Sequence, residues 1–281
     1  KGPSVPGRKG RKGKGSGRKY HEHKPNAGGE ALRVGQETDS LEINKDGTGN
    51  VWTRDTTVNL DGQMVSTTDA GNQSVAMAVR RIENVLTGSG NDSFVGNFSD
   101  NVFDGGAGAD TASYTDLTQS VTITLVSSTT AVMVGAEAGT DTLLNTEVIR
   151  GGRGADSLVA ANVAGVVNGY TFEGGSNTDT ASFTAYTGNL IVNLVAIDSN
   201  HGKITGGTGT LTLTGVENVI SGAGDDTFIG DASDNSFNAG TNTDNSSNID
   251  AGGDWLSYSG STGSLTVNLG TAFADTASNL F

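Results

Sequence analysis

Cysteine is absent from this chain of 281 residues, and proline occurs only three times. Without cysteine the chain can form no disulfide, no thiolate metal site and no cysteine nucleophile. The lack of a sustained Gly-x-y period excludes a collagen helix. No apolar run approaches the ~18 residues of a membrane-spanning helix, and neither an initiator methionine nor a signal peptide is visible. We therefore expect a chain that is processed, truncated or exported without an N-terminal signal.

Catalytic motifs are also missing. The sequence has three histidines and lacks the His-Glu-x-x-His, Gly-x-Ser-x-Gly and phosphate-loop patterns. His21 and His23 lie in a basic segment, where a lone His-x-His is usually solvated. Three glutamates recur at equivalent positions and could be read as a carboxylate pair for glycoside cleavage. They are better explained as repeat positions that hydrogen-bond a turn: Glu83, Glu147 and Glu217. We predict that the chain is not an enzyme.

The net charge of −14 hides two oppositely charged parts. Residues 1–30 contain nine Lys/Arg and two Asp/Glu, a balance of +7, while the remaining residues contain eight and 29, a balance of −21. The acidic part needs counter-charge, which divalent cations can supply. The basic arm could contact the acidic body of a second copy or an acidic cell-surface polysaccharide. Nucleic acid is disfavoured because the arm has little aromatic content and the body would repel phosphate.

Glycine is abundant, with 43 residues, and its placement is regular. Three consecutive nine-residue units run from 87 to 113, and the same unit recurs from 151 and from 221. Each unit has early glycines, a carboxylate or amide at the sixth position, and a small or apolar residue at the eighth. Glycine permits the left-handed backbone of a tight turn, so each unit predicts a turn followed by a short strand. Such a repeat winds into a solenoid, and we expect the eighth-position phenylalanines to form its core: Phe94, Phe103, Phe228 and Phe237.

This pattern resembles the repeats-in-toxin (RTX) family, in which the nonapeptide Gly-Gly-x-Gly-x-Asp-x-apolar-x forms a calcium-binding parallel β-roll. The resemblance implies that turns two units apart stack on one edge. Calcium would lie between them, held by sixth-position carboxylates and by backbone carbonyls of the glycine turns. Calcium suits such a site because it takes six to eight oxygen ligands in flexible geometry. The implied ligand sets are Gly88, Gly90 and Asp92 with Gly106, Gly108 and Asp110; Gly152, Gly154 and Asp156 with Gly175, Asn177 and Asp179; and Gly222, Gly224 and Asp226 with the turn of either Asp244 or Asp254.

Some positions depart from the repeat pattern. Asn177 stands where a glycine is expected, and five extra residues within 161–173 separate Asp156 from Asp179. On the opposite edge, the pairs at 100–101 and 234–235 each stand alone. We expect these Asp-Asn pairs to form structural turns and not metal sites.

A longer module contains the nonapeptides. Strand ends at Leu60, Leu125 and Leu194 are each followed by a glutamate 22 or 23 residues later, and by an aspartate nine residues after that. A fourth strand end lies at Leu269. These offsets divide the chain into a basic arm (1–30), a degenerate β module (31–86) and three RTX-like modules (87–150, 151–220 and 221–281).

Period-two segments rich in β-branched residues lie between the nonapeptide blocks, at 121–125, 190–194 and 265–269. The segment 208–214 has the same pattern, whereas 74–81 fits either a strand or one short helix. The sequence therefore predicts an all-β chain, a parallel β-roll or β-solenoid built from nonapeptide repeats in three larger modules.

Calcium binding also suggests how such a chain could be exported. Stacked carboxylates repel without metal, and binding to the folded form alone drives folding by mass action. The chain would stay unfolded in calcium-poor cytosol and fold outside a bacterial cell. In the RTX family this accompanies one-step, type I secretion, often with an uncleaved C-terminal signal, and the tail 272–281 is either such a signal or a strand.

We expect a secreted protein, extracellular or on the cell surface, with a structural role in a surface layer, filament, matrix or adhesin. Exposed strands at the ends of a solenoid and the opposite charges of arm and body favour head-to-tail association. The alternative is a calcium-dependent secretion and folding module of a larger exported hydrolase or toxin. A carbohydrate- or ice-binding surface is a third possibility.

Overall fold

The computed structural model describes residues 19–20, 32–33, 39–43, 53–68, 74–161, 169–198, 201–206, 209–240 and 254–258. Within these ranges the chain forms 24 strands and no helix, and no described segment is a helix that could cross a membrane. The all-β prediction is confirmed. Several predicted features lie outside the described residues: most of the basic arm with its His-x-His, Asp244, the strand at 265–269 and the tail.

In chain order the strands are β1 (Lys19–Tyr20), β2 (Leu32–Arg33), β3 (Ser40–Glu42), β4 (Thr56–Asn59), β5 (Met64–Thr68), β6 (Ser74–Arg80), β7 (Asn84–Leu86), β8 (Ser93–Val95), β9 (Val102–Asp104), β10 (Thr111–Ser113), β11 (Val121–Ser127), β12 (Thr130–Gly135), β13 (Gly139–Leu144), β14 (Val148–Arg150), β15 (Ser157–Ala160), β16 (Thr171–Glu173), β17 (Thr180–Ser182), β18 (Leu190–Asp198), β19 (His201–Gly206), β20 (Gly209–Thr214), β21 (Asn218–Ile220), β22 (Thr227–Ile229), β23 (Ser236–Asn238) and β24 (Trp255–Ser257). Two sheets contain them all. One has the order β1-β3-β7-β9-β13-β12-β11-β15-β17-β21-β23, and the other has the order β2-β6-β5-β4-β8-β10-β14-β16-β20-β19-β18-β22-β24.

The core lies between the two sheets and is filled from short strands. Most of the three-residue strands after a glycine turn bury their middle side chain, because side chains alternate along a strand and every second one faces the core. Phe94 and Phe103 are both fully buried, and their rings stack at 4.8 Å between centroids. Phe228 is buried against the partly buried Phe237 at 5.1 Å. The predicted phenylalanine ladder is therefore confirmed.

The period-two segments build a feature that the parallel interpretation did not include. Three consecutive strands form an antiparallel meander at β4–β6, at β11–β13 and at β18–β20. The segment 74–81, which fitted strand or helix, is strand β6, and 208–214 gives β20. The predicted β-roll is confirmed, since the single strands between the meanders pair in parallel. Within the nine meander strands, short turns such as those at 61–63 and 136–138 reverse the chain inside one sheet.

Each meander begins a structural unit, which consists of the meander and the four single strands that follow it. Unit 1 spans 56–113, unit 2 spans 121–182 and unit 3 spans 190–257. After the meander, each strand of a unit lies in the sheet opposite to the strand before it. Counting the step to the next meander, the chain passes from one sheet to the other five times per unit. Because five is odd, the meander of unit 2 lies in the 11-stranded sheet, and those of units 1 and 3 lie in the 13-stranded sheet.

Candidate metal-binding turns

The first predicted pair of turns stacks as expected. The main-chain N–H of Asp92 donates a 2.7 Å hydrogen bond to Oδ1 of Asp110, 18 residues later. The N–H of Ala107 donates to the carbonyl of Gly88 at 3.0 Å. The pairing of parallel strands β8 and β10 places the two turns side by side, and the structure brings the first ligand set together.

Glycine is required at the stacked positions by both backbone conformation and space. Gly106 and Gly108 have φ values of 87° and 141°, in the region that disfavours other residues. A Cβ on Gly106 would lie within 3.0 Å of the carbonyl oxygen of Gly88, and one on Gly108 would lie equally close to that of Gly90. The carbonyls of the lower turn thus face the upper turn without an intervening side chain.

The second pair of turns also stacks, despite the inserted residues. The N–H of Asp156 donates to Oδ1 of Asp179 at 2.6 Å, and Gly175 lies directly over the carbonyl of Gly152. Asn177 adopts φ 74°, a left-handed conformation that asparagine tolerates better than most residues, and its side-chain amide donates to the carbonyl of Arg153. Gly154 has a different neighbour, because it contacts the loop at 119–120 that precedes β11.

The third pair resolves the choice between two aspartates. The N–H of Asp226 donates to Oδ1 of Asp254 at 2.9 Å, and Asp254 precedes β24 as Asp226 precedes β22. Asp244 lies outside the described residues. Gly240, which the sequence interpretation missed, stacks over the carbonyl of Gly222 with φ 75°. Gly224 instead faces the loop at 188–189.

Hydrogen bonds continue these pairs into a ladder along each edge. The first aspartate of each stacked pair accepts an N–H from the first residue of the meander in the same unit, at 2.7–2.8 Å, in the pairs Thr56–Asp92, Val121–Asp156 and Leu190–Asp226. Recurring glutamates accept the N–H of an aspartate on the adjacent strand, at 2.8 Å, in the pairs Asp39–Glu83, Asp110–Glu147 and Asp179–Glu217. The prediction that these glutamates hydrogen-bond a turn is confirmed.

The second carboxylate oxygen distinguishes several of these aspartates from ordinary turn residues, although in Asp156 it accepts the N–H of Gly152 at 2.6 Å. Oδ2 is buried and has no hydrogen-bond partner in Asp92, Asp110, Asp179 and Asp226, whose exposures are 0–2%. Burial is the main reason that the pKa of Asp110 and of Asp179 rises to about 7, and neighbouring carboxylates raise it further. A buried carboxylate with an unused oxygen requires either a proton or a cation.

The donor set fits calcium better than a transition metal. Among the described residues, no three His, Cys, Asp or Glu side chains converge on one point. A calcium ion would be held by an aspartate pair together with main-chain carbonyls such as those of Gly88 and Gly90. Such an all-oxygen shell is what calcium takes, and the orphaned Oδ2 atoms agree with it.

The opposite edge of unit 1 differs from the sequence interpretation. Asn101 was expected to stand alone, but the N–H of Asn101 donates to Oδ1 of Asp141 at 2.9 Å. The hydroxyl of Tyr114 donates to Oδ2 of Asp141 at 2.9 Å. Asp141 lies on meander strand β13, and no sequence repeat signalled it. Asn235 does form the expected turn, accepting the N–H of Asp231 at 3.0 Å.

The chain matches the model of a known repeat family. The model of the RTX calcium-binding nonapeptide repeat matches residues 81–112 and 212–245, with four copies. These segments contain the first stacked pair and the first turn of the third pair. No curated protein matches the chain significantly.

Proposed function

Because this chain carries the calcium-binding nonapeptide repeats of the RTX family, we propose that it is a secreted structural protein that folds on binding calcium outside the cell and then self-associates. RTX nonapeptide repeats bind calcium, they are structural elements more than catalytic ones, and proteins that contain them are typically secreted. The observation that carries the proposal is the set of buried, unpartnered Oδ2 atoms on Asp92, Asp110, Asp179 and Asp226.

Calcium-dependent folding follows from the free-energy cost of burying those carboxylate oxygens without a partner. Stacking places aspartates one above another, and burial opposes their ionisation. In neutral solution the metal-free folded form must therefore either protonate these groups or bury their charge, in a body whose balance is −21. Calcium removes this cost only in the folded form, so it stabilises the fold by mass action.

Self-association is supported by one uncharged surface, which we call the neutral face. It comprises the outward side chains of β13, β12, β11, β15, β17, β21 and β23. These side chains are threonine, serine, asparagine, valine, leucine and isoleucine, with no charged residue. Its centre holds the rows Thr122–Val134–Thr140 and Thr124–Val132–Thr142. The outer side of the other sheet carries Arg80, Arg150, Glu173 and Lys203.

We propose that the neutral face binds a second copy of the chain. Two acidic bodies repel each other wherever carboxylates face one another, and the neutral face avoids that repulsion. Seven strands at ~4.8 Å spacing, with meander strands about 20 Å long, give on the order of 500 Å² per copy. This is the size of a weak interface, so association should depend on concentration. Head-to-tail association and a contact of the basic arm stay predictions, since the arm is mostly outside the described residues.

A calcium titration tests folding and assembly together. Circular dichroism should show β-structure appearing with millimolar calcium, and light scattering should show particles larger than a monomer as concentration rises. Thr122→Asp places a charge on the neutral face, and Thr57→Asp places the same charge at the equivalent exposed position of β4. The first substitution should abolish association and the second should leave it intact. A calcium-folded monomer at every concentration would contradict assembly and favour a secretion module of a larger protein.

A further inference from the structure

The step from an aspartate to a glutamate has the same local geometry as the step between two aspartates. In unit 2 the N–H of Asp156 donates to Asp179, and the N–H of Asp179 donates in turn to Oε2 of Glu217 at 2.8 Å. The strands β15, β17 and β21 that follow these residues are adjacent and parallel. The glutamate therefore takes the place of a third aspartate on the same edge.

Main-chain carbonyls repeat the equivalence. The position that a Cβ would take on Gly151 is within 2.5 Å of both Oδ2 of Asp156 and the carbonyl oxygen of Gly174. On Gly174, the same position is within 2.5 Å of Oδ2 of Asp179 and the carbonyl oxygen of Gly215. Each aspartate Oδ2 therefore approaches a carbonyl of the next turn, whether that turn ends in aspartate or in glutamate.

Unit 1 shows the same arrangement independently. The Cβ position of Gly105 is within 2.5 Å of Oδ2 of Asp110 and of the carbonyl oxygen of Asn145. Asn145 has φ 47° and its counterpart Gly215 has φ 57°. Both residues stand two positions before the glutamate, and this left-handed conformation turns the carbonyl toward the aspartate. The same arrangement of oxygen atoms therefore occurs at two separate places in the chain, although the local sequences differ.

The aspartate oxygen in this cluster has no protein partner. Oδ2 of Asp110 and of Asp179 is buried without a hydrogen bond, and both residues have 0% exposure. Hydrogen bonds place the Asp179 carboxylate between two other acidic residues, Asp156 on the preceding turn and Glu217 on the following one. A buried carboxylate oxygen without a partner, next to two further carboxylates, is an arrangement that a cation would stabilise.

We propose that Asp110 with Glu147, and Asp179 with Glu217, form two further calcium sites beside those of the aspartate pairs. Each would use the aspartate Oδ2, a glutamate oxygen and the carbonyl of Asn145 or Gly215. The proposal rests on calcium binding at the aspartate pairs, and it assigns the recurring glutamates a ligand role in addition to their hydrogen bond. The chain would then bind at least five ions, three at aspartate pairs and two at these steps. Asp39 and Glu83 form the same kind of hydrogen bond. The turn before Asp39 is outside the described residues, so we propose no site there.

Glu147→Gln and Glu217→Gln test the proposal. Glutamine keeps an oxygen that can accept the aspartate N–H, but it removes the charge. Glu137→Gln is the matched control, because Glu137 also accepts main-chain N–H groups, from Thr118 at 2.6 Å and from Gln119 at 3.2 Å, in an exposed turn. Calcium per chain is measured by equilibrium dialysis and atomic emission, with circular dichroism to verify folding.

Each glutamine variant at 147 or 217 should bind one ion fewer than wild type, the double variant two fewer, and the Glu137 variant the same number. Unchanged stoichiometry in the first two variants would overturn the proposal and leave glutamate as a hydrogen-bond acceptor only. If a variant fails to fold, the wild-type count still tests the proposal, since fewer than five ions per chain contradict it. A wild-type chain that binds no calcium would instead refute the proposed function.

Discussion

The hydroxyl of Tyr114 donates a 2.9 Å hydrogen bond to Asp141, and both side chains are buried. This bond ties the loop after β10 to meander strand β13. Tyr114 follows Asp110 by four residues, and Asp141 precedes Glu147 by six. At the same offsets from Asp179 and Glu217 stand Phe183 and Leu211, which are also buried. A buried polar pair at one repeat of these positions is thus replaced by two apolar residues at the next.

Asp141 should make stability depend on pH. Burial raises the pKa of Asp141 to about 7, with a smaller contribution from Asp100. Since its pKa in the unfolded chain is ~3.9, the folded form binds an extra proton between about pH 4 and 7. The contribution of Asp141 is therefore complete below pH ~4 and is lost as pH rises through ~7.

Asp141→Asn tests this dependence in calcium-saturated protein. As pH rises from 5 to 8, the difference in unfolding free energy between variant and wild type should shift in favour of the variant by on the order of 1–3 kcal/mol. Urea denaturation at each pH measures this difference. The comparison isolates Asp141 because other buried carboxylates are present in both proteins. Parallel pH profiles would show that Asp141 does not titrate in this range.

The joint replacement of this pair by Phe183 and Leu211 predicts coupling between Tyr114 and Asp141. Tyr114→Phe leaves a buried carboxylate oxygen without its donor and should cost about 1–3 kcal/mol. Asp141→Leu leaves the hydroxyl without an acceptor and should cost a similar amount. The double variant, which reproduces the Phe183 and Leu211 combination, should be more stable than the sum of the single costs implies. Strict additivity in a thermal-melting cycle would contradict the coupling.

The stacked glycines should tolerate no side chain. Gly174→Ala would bring Cβ within 3.0 Å of both Oδ2 of Asp179 and the carbonyl of Gly215. Because main-chain atoms cannot move aside cheaply, we expect a loss of about 2–4 kcal/mol. Gly188→Ala is the control, since nothing lies within 4 Å of its Cβ position, and it should change the unfolding free energy by less than ~1 kcal/mol. Equal effects of the two substitutions in a melting experiment would count against the stacking.

Removing one buried charge should reduce the calcium requirement. Asp110→Asn keeps an oxygen for the N–H of Asp92 but removes a carboxylate that is costly to ionise. The metal-free variant should therefore be more stable than the metal-free wild type, whereas calcium should stabilise it less. Tenfold excess over the dissociation constant is worth about 1.4 kcal/mol per site. The measurement is melting temperature with calcium and with chelator, and Asp116→Asn, in the exposed loop after β10, is the control. An unchanged calcium-induced shift in Asp110→Asn would contradict a role for Asp110 in binding.

Local periodicity explains which parts of the fold could be predicted. The 18-residue spacing of Asp92 and Asp110 is two nonapeptides, so a repeated turn and strand returns to the same edge. The glutamates were found for the same reason, because their offsets recur. The meanders were missed, since a period-two pattern identifies a strand but not its neighbour or direction. Asp141 had no signal because its partners are 27 and 40 residues away.

Insertions had two different outcomes. Asp156 and Asp179 stack although five extra residues separate them, because the strands that follow them, β15 and β17, still pair in parallel. For Asp226 the sequence offered two partners at acceptable spacings, Asp244 and Asp254, and spacing does not distinguish them. The pairing of β22 with β24 selects Asp254. Spacing alone therefore predicts which turns are able to stack, but not which residue completes a stack when the loop length varies.

The odd number of passes in each unit has a consequence for how such a chain can change in length. Deleting one unit would exchange the roles of the two sheets for everything downstream, so that a surface on one side of the rod would continue on the other. Deleting two would preserve the original orientation. For a rod whose sides differ in charge, the smallest change in length that keeps both sides continuous is a pair of units.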